Sequence, residues 1–119
     1  MRLAIRLLGP ALLLSVLAVG CASQSAGSPS PAGVATQISI KGFAFNPNQP
    51  SLTKGATITW TNDDGTTHTV TSGVPGTPSG KFNQSLDAGK SFSFTFTETG
   101  TYEFFCNIHQ SMRGTVTVK

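Results

Sequence analysis

An all-β sandwich of about seven to eight strands is the fold class this sequence predicts. Three observations carry that prediction. Short runs alternate apolar and polar side chains with a period of two, turn residues (Gly, Pro, Asn, Asp) separate the runs at short intervals, and no part of the folded region holds a 3.6-residue apolar repeat. At 119 residues the chain suffices for one domain and not two.

The folded region does not begin at the N-terminus. Residues 1–20 place Arg2 and Arg6 ahead of a nearly uninterrupted apolar run from Leu7 to Val19, a secretory leader pattern too short to be read as a membrane span. The ending Leu17-Ala18-Val19-Gly20-Cys21 resembles the bacterial lipobox, in which the Cys is acylated and becomes the mature N-terminus; the plainer alternative is an ordinary cleaved leader. Residues 22–35 are small, polar and Pro-rich, and cannot bury enough apolar surface to order themselves, so they read as a flexible tether. The expected organisation is a leader at 1–20, a lipidated Cys21 with its tether at 21–35, and a folded domain at 36–119. It places a monomeric domain outside the cytoplasm, in the periplasm or at the cell exterior, held to a bacterial membrane by lipid. Two of the eight basic residues lie in the leader, which leaves six against five acids and a net charge near +1. Nothing clusters, so neither nucleic acid nor a polybasic membrane contact is indicated.

The strands follow in order. Gln37 to Lys41 alternates, with Ile38 and Ile40 on one face. After Gly42 the apolar parity moves to Phe43 and Phe45, which indicates a bulge or bend. Asn46 to Pro50 is a turn, Leu52 lies in a short strand, and Lys54-Gly55 turns the chain again. Thr57 to Asn62 alternates cleanly: Ile58, Trp60 and Asn62 face inward, and three Thr face solvent. Asp63-Asp64-Gly65 is a turn, after which Thr67 to Thr71 resumes strand-like sequence with His68 and Val70 in phase. Ser72 to Lys81, rich in Gly, Pro and Ser, reads as a loop. Phe82 and Leu86 are isolated apolar anchors before the turn at Asp87 to Lys90. Ser91 to Thr97 directs Phe92, Phe94 and Phe96 inward. Thr101 to Cys106 sets Tyr102, Phe104 and Cys106 on one face, with Glu103 and Phe105 outward. Gly114 to Lys119 closes the fold with Val116 and Val118 inward.

The chemistry concentrates in seven residues, Cys106 to Met112. Beyond the tether the chain has one Cys, two His and one Met, and Cys106, His109 and Met112 fall in the loop between the last two runs; the second imidazole is His68. If Cys21 is acylated, Cys106 is the one remaining thiol of an exported protein and has no disulfide partner within the chain. Metal ligation would account for it; a buried thiol packed as a small hydrophobe is the alternative. A single His is more often hydrogen-bonded or at the surface than a ligand, and a single Met is more often core filler, but Cys-x-x-His-x-x-Met at a strand junction joins them in one pattern. A trigonal site of two His and one Cys with a weak axial Met is the blue-copper electron-transfer arrangement. Structural zinc rarely uses a thioether, and iron–sulfur clusters need more cysteines. Asn62, polar at the end of an inward row, needs hydrogen bonds there and reads as a brace for the ligands.

On these residues the sequence resembles the cupredoxins, within them the plastocyanin/amicyanin-like group, over Thr36 to Lys119. The matching stretches are Trp60-Thr61-Asn62 with His68 six residues beyond Asn62, Gly100-Thr101-Tyr102, and Cys106 to Met112 followed by Gly114 and Val116. The short ligand loop is similar to that of amicyanin. The resemblance implies a Greek-key β-sandwich with copper at one end, ligated by His68, Cys106, His109 and Met112, and an Asn62 that ties the ligand loops together near Asn107. Three residues depart from the family pattern. Ile108 replaces the Pro often found before the second His, Phe105 stands where plastocyanin has a Tyr, and the acidic surface is reduced to Asp63-Asp64.

The function these readings imply is a membrane-tethered, single-electron carrier outside the cytoplasm, binding one copper ion and exchanging electrons with extracytoplasmic redox proteins. Its contact rim would include Ile108, Val74, Pro75 and Pro78, with Phe105 as a remote contact. Copper capture, storage or handover would use the same ligands, and a metal-free adhesion module is the third class. Enzymatic activity is not expected: four protein ligands leave no open position for a substrate, and no Ser/His/Asp set or carboxylate pair is present.

Overall fold

The computed structural model describes residues 35–119; the leader, Cys21 and all but the last residue of the tether lie outside the described residues. Nine strands form two sheets: β1 (Thr36–Ile40), β2 (Phe45–Asn46), β3 (Ser51–Leu52), β4 (Thr57–Asn62), β5 (His68–Val74), β6 (Thr77–Leu86), β7 (Ser91–Thr95), β8 (Gly100–Phe105) and β9 (Arg113–Val118). One sheet has the order β2-β1-β4-β7 and the other β3-β9-β8-β5-β6. The all-β sandwich is as the alternation predicts, with one or two more strands than expected.

Strand β4 shows how the pattern builds the layers. Its burial alternates without a break, placing Ile58, Trp60 and Asn62 in the interior. It runs parallel to β1 with Ile38 opposite Trp60, and antiparallel to β7 with Phe92 opposite Trp60. On its outer face, hydroxyls pair across to β7: Thr57 with Thr95 at 2.7 Å, Thr59 with Ser93 at 2.7 Å and Thr61 with Ser91 at 2.8 Å. The core between the sheets gathers Ile38, Ile40, Ile58, Trp60, Val70, Phe82, Phe104 and Val116, all buried. Trp60 is its hub, stacked on Phe92 and edge-on to Phe104. Close packing also fixes Gly114 on β9, where a Cβ would lie 2.1 Å from the Phe104 ring.

Several expectations are corrected. Ser72 to Lys81 is not a loop. Val74 and Thr77 pair across a two-residue turn, Pro75-Gly76, with Gly76 at φ 84, and β6 then runs ten residues along the sheet edge. Backbone pairing alone makes its first half, whose five side chains are all exposed and show no apolar alternation, while Phe82 and Leu86 anchor the rest in the core. Phe105 does not face solvent but is fully buried, outside the main core cluster, because the central strand β8 is covered on both faces at its end. Val74, Pro75 and Pro78 lie at the opposite end of β5 from His68. Six residues of strand separate them from the ligand, about 20 Å at 3.3 Å per residue, so they form no rim around it.

The topology gathers one set of loops at one end of the sandwich. The β1–β2 turn, the β4–β5 turn, the β6–β7 turn and the β8–β9 loop all emerge there, and the candidate ligands lie on the second and fourth of these.

Candidate metal centre

The β8–β9 loop is clamped by the ladder on which it stands, since Phe105 pairs with Arg113 directly beneath it. The Cys106 N–H donates to the Met112 carbonyl at 3.1 Å, and the Met112 N–H donates to the His109 carbonyl at 2.9 Å. Seven residues thus close on themselves in the absence of a rigidifying Pro at Ile108. Cys106 and Met112 are buried, and His109 is half-buried at the rim.

His68, at the start of β5, meets this loop. Its Nδ1 lies 3.1 Å from His109 Nδ1 and 3.9 Å from Cys106 Sγ, and His109 Nδ1 lies 3.7 Å from the same sulfur. A triangle with these sides has a circumradius of about 2.1 Å, within the range of first-row metal–imidazole and metal–thiolate bonds. One point can therefore bond all three donors without any of them moving far. The chemistry of the set fits copper: two imidazoles, a thiol that is free among the described residues, and a buried thioether at the end of the same loop.

The sulfur is held by two backbone donors. It receives the Thr69 N–H at 3.3 Å and the His109 N–H at 3.4 Å. Two N–H groups aimed at one sulfur restrain its position. Thr69 also accepts the Asn107 N–H on its hydroxyl at 2.7 Å, and that hydroxyl lies 3.1 Å from Thr71 Oγ1. Thr69 is therefore the residue that ties together the two segments carrying the candidate ligands.

The role expected of Asn62 differs accordingly. Its amide donates to the Thr66 and Leu86 carbonyls at 2.7 and 2.8 Å, and its oxygen accepts the Asp64 N–H at 3.0 Å. Asn62 shapes the β4–β5 turn and joins it to the end of β6, while the link to Asn107 is made by Thr69. The reason is position: Asn62 lies six residues before His68, whereas Thr69 lies beside the sulfur.

Asp64 and Phe43 are two further residues at this end that sequence reasoning missed. The carboxylate of Asp64 lies 2.9 Å from His68 Nε2 and accepts the Gly42 and Phe43 N–H groups at 2.8 and 3.0 Å. Those backbone bonds, the Phe43 one foremost, and more weakly the His68 contact hold its pKa below the ordinary 3.8 against the opposing effect of desolvation. Gly42 and Phe43 occupy the β1–β2 turn at φ 61 and 57. The Phe43 ring stands edge-on to both imidazoles, with centroids 5.3 Å from His68 and 4.9 Å from His109. The signal for Asp64 was its spacing four residues before His68; for Phe43 there was only the parity shift after Gly42.

Comparison with known proteins agrees with this geometry. Residues 32–119 match the family model for copper-binding proteins of the plastocyanin/azurin family. Amicyanin-alpha of Methylorubrum extorquens is 30% identical over 104 residues, covering 86% of this chain and 86% of that protein. Plastocyanin of Daucus carota is 40% identical over 85 residues, 64% of this chain and 88% of that protein. Among solved structures, a purple cupredoxin from Nitrosopumilus maritimus superposes with a TM-score of 0.65 at 33% identity, covering 71% of this chain and 99% of that one. A reduced amicyanin mutant superposes at 0.62 with 30% identity, covering 72% and 83%.

Proposed function

The chain belongs to the plastocyanin/azurin family of copper-binding proteins, its cofactor is copper and it is not an enzyme; from that premise we propose that it is a single-electron carrier working outside the cytoplasm. The observation that carries this reading is the triangle of His68 Nδ1, His109 Nδ1 and Cys106 Sγ, already sized for a metal, its sulfur held by two backbone N–H groups and its loop closed by two backbone bonds. Bound copper supplies a one-electron couple. The protein's part is to keep the donors in place whichever charge the metal carries. The clamped loop, the Thr69 link and the buried sulfur all serve that end. Met112 is assigned as the weak axial donor that tunes the potential. His109, half-buried at the rim beside exposed Ile108 and Phe43, is the assigned point of electron entry and exit.

The partners proposed are extracytoplasmic redox proteins. The leader, acylation at Cys21 and the tether would keep the carrier at a bacterial membrane while the domain reaches outward; mass analysis of the mature N-terminus, with Cys21→Ala as the released control, tests this. For the centre itself, Cu(II) added to the domain should produce an intense visible thiolate band that disappears on reduction, and Cys106→Ser should lose the band and keep the fold. A colourless adduct would reject the reading, and rapid loss of copper to a weak chelator would replace it with copper handover.

A further inference from the structure

We propose that Asp64 is a positioning residue of the copper site, fixing His68 in the tautomer whose Nδ1 lone pair faces the metal and holding Phe43 over the two imidazoles. The inference rests on His68 being a ligand. It starts from a geometric fact: the two Nδ1 atoms lie 3.1 Å apart, so in the metal-free protein one of them donates a hydrogen to the other. The contact on the far side of His68 decides which. With the His68 ring neutral, the Asp64 carboxylate 2.9 Å from Nε2 can only accept, so Nε2 carries the single ring proton and Nδ1 is left as the bare lone pair. His109 is then the donor. Asp64 thus presets the imidazole that is fully buried and cannot exchange its proton with water easily, and leaves the adjustable tautomer to His109 at the rim.

The same carboxylate does a second task. It accepts both N–H groups of the Gly42-Phe43 turn, one on each oxygen, with Oδ2 shared between Phe43 and His68. Phe43 is at positive φ, a conformation that an aromatic residue adopts only when its surroundings impose it. The imposed conformation turns the ring edge-on to both imidazoles even though the side chain remains 54% exposed. A carboxylate behind a metal-bound imidazole also raises the basicity of that ligand, which favours the more highly charged Cu(II) over Cu(I).

Nitrogen NMR on the labelled metal-free domain tests the tautomer directly, and affinities for Cu(II) and Cu(I) test its consequence. The wild type should show the His68 proton on Nε2. Asp64→Ala should mix or reverse the tautomer and weaken Cu(II) binding by about 10–100-fold, with a smaller loss for Cu(I); a tenfold difference between the two raises the potential by about 59 mV. Asp64→Asn, which can still accept from Nε2 but lacks the charge, should keep the tautomer and lose less affinity. It also serves if the Ala variant fails to fold. A wild-type tautomer and an unchanged ratio of Cu(II) to Cu(I) affinity in Asp64→Ala would overturn the proposal. Adding Cu(I), which is diamagnetic, to the wild type keeps the two readings separate: if the His68 Nδ1 resonance does not move, ligation by His68 has failed, whatever Asp64 does.

Discussion

At the scale of single residues, Phe43 and Asp64 set stability against site geometry. The left-handed conformation of an L-residue costs roughly 1–2 kcal/mol, and Gly would remove that strain at an entropic cost of about 0.5–1 kcal/mol. Phe43→Gly should therefore leave the unfolding free energy of the metal-free domain unchanged or raise it slightly, as read by denaturant titration. Copper should nevertheless leave faster to a competing chelator, because the ring that covers both imidazole edges is gone. A Phe serving only as packing would instead show a clear loss of stability. Asp64 has a pKa lowered in the folded state by the Phe43 and Gly42 N–H groups, so the sign of its contribution is fixed. The stabilisation is complete above the ordinary value of 3.8 and is lost as the pH falls below it toward the lowered value. In the metal-free domain, Asp64→Asn should flatten the acid limb of the stability–pH curve and have a smaller effect near neutrality than Asp64→Ala, measured by denaturant midpoints across that range.

At the scale of elements, the β8–β9 hairpin joins core packing to the ligand loop. Phe104 is opposite Gly114 in the ladder, one step from the loop's base at Phe105 and Arg113. Gly114→Ala would drive a methyl into the Phe104 ring and should destabilise the fold by about 1–3 kcal/mol, as overpacked cores do. Because the strain arises two residues from Met112, the visible band of the copper-loaded variant should also shift, which a surface substitution such as Thr117→Ala should not cause. The elements also show what was legible. Alternation revealed β1, β4, β7, β8 and β9, because each has one face in the core. It missed β6, whose exposed first half is a strand by backbone pairing only. It misplaced Phe105, because two-sided burial at a strand end leaves no alternation to read. The candidate ligands stood out by chemical rarity: one thiol, two imidazoles and one thioether beyond the tether. Their supports did not, since Thr69, Asp64 and Phe43 are common residue types that acquire their roles through contacts 38, 4 and 21 positions away in the chain.

At the scale of the whole molecule, copper binding should be linked to folding, because the triangle of His68, Cys106 and His109 is assembled only by the folded chain. A ligand that binds only the folded state stabilises it by RT ln(1 + [L]/Kd), about 2.7 kcal/mol at a hundredfold excess over Kd. Copper should raise the thermal midpoint of the wild type in a concentration-dependent way. Cys106→Ser should lose most of that rise while keeping a midpoint near the metal-free wild type, both read by calorimetry.

The paired hydroxyls on the outer face of the β4–β7 sheet have a consequence for how such a molecule meets others. Thr57, Thr59 and Thr61 each engage a hydroxyl across the strand, so that broad face presents rows of paired polar groups. Among the described residues, the two large apolar side chains left in the open, Phe43 and Ile108, lie at the end that holds the candidate ligands. A collision on the flank finds little to hold it, whereas one at the pole meets greasy side chains next to the half-buried His109. For the electron carrier proposed above, such a surface would act as a wire insulated along its side and stripped at one tip, setting the point of contact before any electron moves.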